Sequence, residues 1–480
     1  MRLWPRHIKI NKIAVPFFIA LALSGCTVGP NYLRPPAPES ETFKEMDGWT
    51  KAVPADQMLR GKWWEVFNDP ALNELEEQVG ISNQNVLAAE AQFREAEALV
   101  RVARSAYFPT ATIGPSISRS YQITAGGPSV PVTLTTLPVN ASWEIDIWGR
   151  VRRQVEASRA SAQASAADIE NVRLSSQAQL AQDYFQLRSL DAQSVLLDQT
   201  VEAYRKTLEL TQNRYDSGVA ARGDVLQADT QLKTTQAQAI DVGVQRAQYE
   251  HAIALLIGKA PADLTLPPMA LDTPPPPIPV GVPSVLLERR PDIAAAERSM
   301  AAANAQIGVA LAASYPSLTL TGEAGLQSLD LAQLFTWPAR IWGIEAGLSE
   351  TVFNGGLFKA QTDQARAAYD AAVASYRETV LTGLQEVEDN LAALRILEHE
   401  ADVQTEAVKL ADQSLAVMIN QYQAGTVAYL NVITAQTTLL SNEITALNIL
   451  GRRMSAAVLL IEALGGGWDV KELPGLAAVQ

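Results

Sequence analysis

Few side chains in this sequence have the types and spacing that enzymatic chemistry requires. The three histidines, His7, His251 and His399, each stand alone, far from the single cysteine and from one another. No cluster of Cys and His has the spacing of a metal site, and the chain contains neither a Gly-x-Ser-x-Gly motif nor a phosphate-binding loop. We therefore expect a protein that is not an enzyme and that needs no metal or other cofactor.

One residue is placed for covalent modification, and it is Cys26, the only cysteine. It closes the tetrapeptide Leu-Ser-Gly-Cys after a basic start and an apolar run over residues 13–23, which is too short to span a membrane as a helix. This arrangement predicts an export signal over residues 1–25 and a bacterial lipobox whose cysteine carries lipid at the mature N-terminus. Thr27 in the next position favours sorting to the outer membrane.

The charge of the chain argues against one class of partner. The formal net charge is −14, the isoelectric point is about 4.9, and the body of the chain has no run of Lys and Arg. Binding to nucleic acid requires clustered cations that neutralise phosphates. We expect no nucleic acid partner.

The chain contains nearly the same stretch twice. The sequence RYDSGVAARGDVLQADTQL begins at Arg214, and QYQAGTVAYLNVITAQTTL begins 207 residues later. The same offset aligns the order of predicted elements across both halves, which predicts a tandem duplication. The predicted organisation is a signal peptide (1–25), a lipidated extended segment (26–65), a first repeat (66–257), a Pro-rich linker (258–288), a second repeat (289–464) and a tail (465–480).

Each repeat combines long helices with short strands. Residues 149–213 contain no Pro and only one Gly, at the start, and their apolar positions recur every seven residues, which predicts one long helix packed as a coiled coil. Pro70 after Asp69 predicts the start of an earlier helix that continues to Ala106. Between these helices, Val139, Ala141, Trp143, Ile145 and Ile147 alternate with polar residues, which is typical of a half-buried strand.

The strands suit a membrane barrel but are too few to close one. Each repeat supplies about two strands, and an open sheet cannot lie in lipid because its edges leave backbone groups unpaired. Spanning barrels need about eight strands or more. Three copies of the chain would supply about twelve, so the strand count predicts a trimer whose helices form a long tube.

Several stretches together resemble a known family. The run ERRPDIAAAERSMAAANAQIGVALAASYPSLTLTGEAG from Glu288, with LSGCTVGPNY, WWEVFNDPALNEL and GTVAYLNVITAQTTLLSNE, is similar to the TolC-like outer membrane factors, in particular the NodT-type efflux lipoproteins. The resemblance implies a homotrimer with a twelve-stranded β-barrel in the outer membrane lipid and an α-barrel crossing the periplasm. It also implies a periplasmic adaptor (membrane fusion) protein and an inner membrane pump of the resistance-nodulation-division (RND) class as partners, with small molecules conducted passively.

The resemblance further assigns roles near the two repeated stretches. The periplasmic mouth of the tunnel is expected to close through inward residues at the start of the second return helix and through links between the two turns, at Leu430, Asn431, Thr434, Tyr422 and Asp224. The turns themselves, with their adaptor-docking surface, are expected at Arg214, Gly218 and Gly425. An N-cap role for Asp224 and Asn431 is an equally open interpretation.

Two other classes of protein share parts of this pattern. A coiled-coil adaptor or structural lipoprotein would have the long helices, but it would have no use for strands with an apolar outer face. The exit duct of a type I protein secretion system would have the same architecture, although the lipobox favours small-molecule efflux.

Overall fold

The computed structural model describes residues 27–38, 42–45, 61–122, 130–278, 289–468 and 471. In these residues the helices are α1 Pro70–Ser82, α2 Gln84–Ser105, α3 Arg150–Asp216, α4 Arg222–Leu256, α5 Pro291–Ala312, α6 Leu357–Gln423 and α7 Tyr429–Ala463. The strands are β1 Thr110–Ile113, β2 Ser116–Gln122, β3 Val130–Ile145, β4 Ser317–Ser328 and β5 Arg340–Ser349.

The helices repeat with the offset read from the sequence. The pairs α2 and α5, α3 and α6, and α4 and α7 have equal lengths of 22, 67 and 35 residues, and each second member begins 207 residues after the first. The predicted long helix is confirmed, and at 1.5 Å per residue it extends for roughly 100 Å. Long helices joined to a sheet are therefore the fold of the chain.

The first predicted helical stretch is divided in two. Asp69 caps α1 as expected, accepting from the backbone nitrogen of Ala71 at 2.9 Å. The helix does not continue to Ala106, because Asn83 interrupts it and begins α2 by accepting from the nitrogen of Val86 at 3.2 Å. The Asn83 amide also donates to the carbonyl oxygen of Leu256 at 2.7 Å, which ties the break to the end of α4.

The main hydrophobic core lies midway along the long helices. It joins Leu180 and Leu187 of α3 to Val387 of α6 and to Val458 and Leu460 of α7, all of them buried. Helix α7 is long and apolar enough in composition to cross a membrane. Because it packs against α3 and α6 through this core, we interpret it as a core helix.

Two chain segments without α-helix pack along the long helices. Residues 27–38 run extended, held by the buried Arg153, which donates to the carbonyl oxygen of Gly29 at 3.1 Å, and by Arg34, which donates to the Tyr376 hydroxyl at 2.9 Å. After α4, the proline-rich stretch is fixed by Arg188, which donates to the carbonyl oxygen of Pro267 at 2.7 Å. Residues 279–288 of the predicted linker lie outside the described residues.

The strands form one antiparallel sheet that joins the two repeats. Its order is β1–β3–β4–β5, and β2 also pairs with β3. Because β1 and β2 are consecutive and pair with successive parts of β3, they fill one strand position, and the sheet has four positions. Strand β3 stops at Ile145, before the predicted Ile147, because the Asp146 carboxylate accepts from the nitrogen of Arg152 at 2.9 Å and caps α3.

Candidate functional site: the sheet faces and the paired helical turns

One face of the sheet is apolar across all four strand positions. Side chains of directly paired residues lie on the same face. The predicted row of Val139, Ala141, Trp143 and Ile145 therefore shares a face with apolar partners on the neighbouring strands. The rows are Ile113–Val139–Ala324–Trp342, Ala111–Ala141–Gly322–Ile344, Trp143–Leu320–Ala346 and Ile145–Leu318–Leu348. Most of the large side chains in these rows are exposed in the single chain.

The opposite face of the sheet is polar over the same stretch. Its rows are Thr112–Asn140–Glu323, Thr110–Ser142–Thr321–Glu345 and Glu144–Thr319. Position β1–β2 forms one edge and β5 forms the other, and within the described chain neither edge pairs with a further strand on its outer side. The sheet thus has the two-faced pattern of a membrane barrel wall together with two open edges.

The two helical hairpins end in turns of the same geometry. Gly218 and Gly425 each adopt φ +77°, the left-handed conformation that glycine accommodates at a helix C-terminus. The nitrogen of Gly218 donates to the carbonyl oxygen of Tyr215 at 2.8 Å, and that of Gly425 donates to Tyr422 at 3.0 Å. Both turns close α3 and α6 at the end roughly 100 Å from the sheet.

A contact between the two turns brings three site residues together. The Arg214 guanidinium lies over the Tyr422 ring, 4.8 Å from its centroid, and its Nη1 donates to the carbonyl oxygen of Gln423 at 2.9 Å. The buried Tyr422 ring also packs against Tyr429, with ring centroids 5.2 Å apart. The first hairpin is therefore fastened to the second through Arg214 and Tyr422.

Asp224 does not take part in this contact within one chain. The Tyr422 hydroxyl is buried and has no hydrogen-bond partner, so its link to the first hairpin runs through Arg214. The Asp224 carboxylate accepts from the nitrogen of Ala221 at 3.4 Å, so Asp224 helps to cap the start of α4 from its third position, although the N-cap residue itself is Ala221. The side chain of Asn431, at the equivalent position of α7, makes no such bond within the described chain, and the N-cap of α7 is Ala428 without a side-chain bond.

Three of the predicted aperture residues lie together on one side of α7. Leu430, Asn431 and Thr434 are exposed within its first two turns, and Leu430 is 59% accessible. Positions three and four residues apart on a helix share a face, which places both Asn431 and Leu430 beside Thr434. The structure thus leaves an apolar side chain and two uncharged polar ones pointing away from the hairpin core.

Tyr429 belongs to the tip cluster but has no counterpart in the first repeat. Burial raises the pKa of its phenol, and the nearby Tyr422, Tyr204 and Asp224 raise it further. The equivalent position in the first hairpin is Arg222. A comparison of the two repeats therefore does not identify Tyr429 as a site residue. The sequence feature that could have identified it is its position directly after the turn, within an apolar pattern.

Two further expectations from the sequence concern Cys26 and metal binding. Cys26 lies outside the described residues. Over the described ranges, no group of three or more His, Cys, Asp or Glu side chains is arranged to hold a metal ion.

Known proteins match nearly the whole chain. The sequence profile described as "Outer membrane efflux protein" matches residues 76–259 and again residues 282–466. The chain is 31% identical over 461 residues to the toluene efflux pump outer membrane protein TtgF of Pseudomonas putida, covering 94% of this chain and 96% of that protein. It is 29% identical to the cation efflux system protein CusC of Escherichia coli, covering 95% and 98%.

A solved structure agrees with these sequence matches. The outer-membrane channel OprN superposes with a TM-score of 0.86 at 30% identity, covering 92% of this chain and 100% of that one. The duplicated helices, the two-faced sheet and both sequence matches lead to one conclusion. The chain belongs to the outer membrane efflux protein family.

Proposed function

We propose that this chain is the exit duct of a tripartite efflux system and works as a homotrimer. The observation that carries the proposal is the four-position sheet with one apolar face and two open edges. In lipid these edges must be paired, and three chains side by side would close a barrel of about twelve strands. The polar rows that include Glu323 and Glu345 would then line the lumen.

In this assembly the long helices form the periplasmic part of the duct. Each chain contributes two hairpins whose turns lie roughly 100 Å from the sheet. The six turns of a trimer would surround the periplasmic mouth, where Gly218 and Gly425 present surfaces to an adaptor protein and through it to an RND pump. Leu430, Asn431 and Thr434 would face the opening from the start of α7.

Cys26 supplies a second attachment to the membrane in this proposal. Residues 27–38 follow it directly and run from the end of β3, where the nitrogen of Val28 donates to the carbonyl oxygen of Trp148 at 3.0 Å. This places the start of the described chain beside the sheet, where lipid on the cysteine would reach the inner leaflet of the outer membrane. Acyl burial contributes about 0.8 kcal/mol per CH₂.

The proposed cargo is small molecules. Relatives with matches of similar extent are named for toluene, solvent, antibiotic and cation efflux. These names do not favour a duct for secreted proteins. The different cargoes of similar ducts support the view that the pump and adaptor select the exported compound.

Deletion of the gene from its host tests the function directly. We expect the deletion strain to accumulate ethidium or to become sensitive to toluene, and the full-length gene to restore export. Purified protein should run as a trimer in native mass measurements. Normal export of small molecules with a loss of one secreted protein would instead identify a secretion duct.

A further inference from the structure

Two arginines interrupt the apolar face of the sheet at the end farthest from the helices. Arg340 begins β5 and lies in the row that runs through β4 to Leu137 of β3. Arg119 of β2 pairs with Thr133 of β3. Because Leu137 and Thr133 are each an even number of residues from Val139, alternation along β3 places both arginines on the apolar face. Both arginines are exposed in the single chain.

The position of these arginines is unfavourable for a cation unless an anion lies beside it. In the proposed barrel the apolar face contacts lipid, where a charged side chain destabilises the fold most at the midplane and least at the headgroups. Counted from the helices, Arg340 is the last β5 residue on this face, directly beyond Trp342, and Arg119 directly precedes Tyr121 on the same face. Exposed Trp and Tyr are typical of membrane interfaces. The two arginines therefore lie at the depth of the outer-leaflet headgroups.

The protein itself supplies no carboxylate to these two cations. Neither arginine forms an ion pair or donates a hydrogen bond within the described residues. In the sequence, residues 123–129 contain no Asp or Glu, and the only acidic residue among 329–339 is Asp330. The Asp330 carboxylate already accepts from the nitrogen of Ala332 at 3.0 Å. Because every copy has the same sequence, a neighbouring copy cannot supply the missing anion from this end of its sheet.

The guanidinium of Arg340 is held in a way that suits binding of an anion. It lies over the Trp337 ring, 3.5 Å from the ring centroid, and Trp337 is 75% exposed. Stacking occupies the face of the guanidinium, while its N–H groups, which lie in the plane, stay available. Pairs of guanidinium N–H groups match two oxygens of a phosphate. Phosphate at the membrane surface is therefore the anion that fits this position.

We propose that Arg340 and Arg119 bind the phosphates of a glycolipid in the outer leaflet, and that Trp337 positions Arg340 for this contact. The inference rests on the proposed barrel, because it requires the apolar face to lie in lipid. The two arginines lie on opposite edges of the sheet. Copies placed side by side therefore bring one of each to every seam of the barrel. A glycolipid with two phosphates, such as lipid A, can contact both.

Native mass spectrometry of the full-length trimer tests this proposal with lipid A as the probe. The trimer is exchanged into micelles containing lipid A, and the retained lipid is counted for the parent, Arg340→Gln, Arg119→Gln and the double variant. One cation near an anionic membrane surface strengthens binding about fivefold, so we expect about fivefold weaker retention for each single variant and about 25-fold weaker retention for the double variant. The charge-matched control is Lys206→Gln, an exposed position of α3, which should retain lipid A like the parent.

Two further probes identify the group that is recognised. Lipid A from which both phosphates have been removed should bind the parent no better than it binds the double variant. Equal retention of lipid A by the parent and the double variant, or full retention of the dephosphorylated lipid by the parent, would overturn the proposal. Trimers in the same spectra would then leave the proposed duct intact. Binding of inorganic phosphate as tight as that of lipid A would indicate a free-anion site and would also overturn the lipid assignment. A monomeric parent would overturn the barrel and, with it, this surface.

Discussion

Replacing Arg214 by methionine should loosen the contact between the two helical turns. The change keeps most of the aliphatic stem but removes the cation above the Tyr422 ring and the donor to the carbonyl oxygen of Gln423. A cation over an aromatic ring contributes about 0.5–1 kcal/mol at a partly exposed site. A hydrogen bond from a charged donor contributes about 1.5–3 kcal/mol, and less here because the side chain is half-exposed.

Together these contributions predict a loss of about 2 kcal/mol per chain. Since about 1.4 kcal/mol corresponds to a factor of ten, the balance between fastened and released turns should shift roughly thirty-fold. If the fastened turns keep the periplasmic mouth narrow, single-channel recordings in planar bilayers should show larger or more frequent openings for Arg214→Met than for the parent.

The duplication provides a matched control for this experiment. Gln421 is the counterpart of Arg214 in the second repeat, is exposed, and has no aromatic contact in the described chain. Gln421→Met should leave the conductance unchanged. Arg214→Met added to Tyr422→Leu should have a smaller effect than in the parent, because Tyr422→Leu has already removed the contact between cation and ring and only the hydrogen bond to Gln423 is left to lose. If Arg214→Met conducts like the parent, the contact between the turns does not hold the mouth closed.

Three further changes test other parts of the molecule. Leu430→Ala should raise single-channel conductance if this exposed side chain narrows the mouth, and an unchanged conductance would place the constriction elsewhere. Cys26→Ala should yield a mature protein without acyl chains by mass spectrometry, whereas lipid still present on this variant would contradict the anchor. Burial, then the Glu386 carboxylate, raises the pKa of Glu462 to about 7. Because the folded state holds this proton more tightly, stability should fall as pH rises from about 4.5 to 7, and Glu462→Gln should gain up to about 3 kcal/mol at pH 8 and almost nothing at pH 4.5 in denaturant titrations.

The sequence alone determined the repeat and the kinds of elements it contains. The constant offset of 207 residues is visible in the sequence itself, and the seven-residue apolar step and the period-two alternation follow from the geometry of a helix and of a strand. The helix bounds and the two faces of β3 follow these patterns closely. The structure differs from the predicted bounds where a side chain binds the backbone: Asn83 and Asp146 cap helices at points where the apolar pattern alone would continue the preceding element.

Only the tertiary structure decided which of two equivalent tyrosines is buried and joins the two hairpins. Tyr215 and Tyr422 occupy the same position in the two repeats, yet Tyr215 is 40% exposed and Tyr422 only 5%. The Tyr-x-x-Gly pattern that they share cannot distinguish them, because burial depends on which side chains and which helix lie alongside. Tyr422 is covered by Arg214 from the other hairpin and by Tyr429, while Tyr215 stays exposed in the single chain. The local sequence therefore determines the turn, whereas the packing of the two hairpins determines the contact that fastens it.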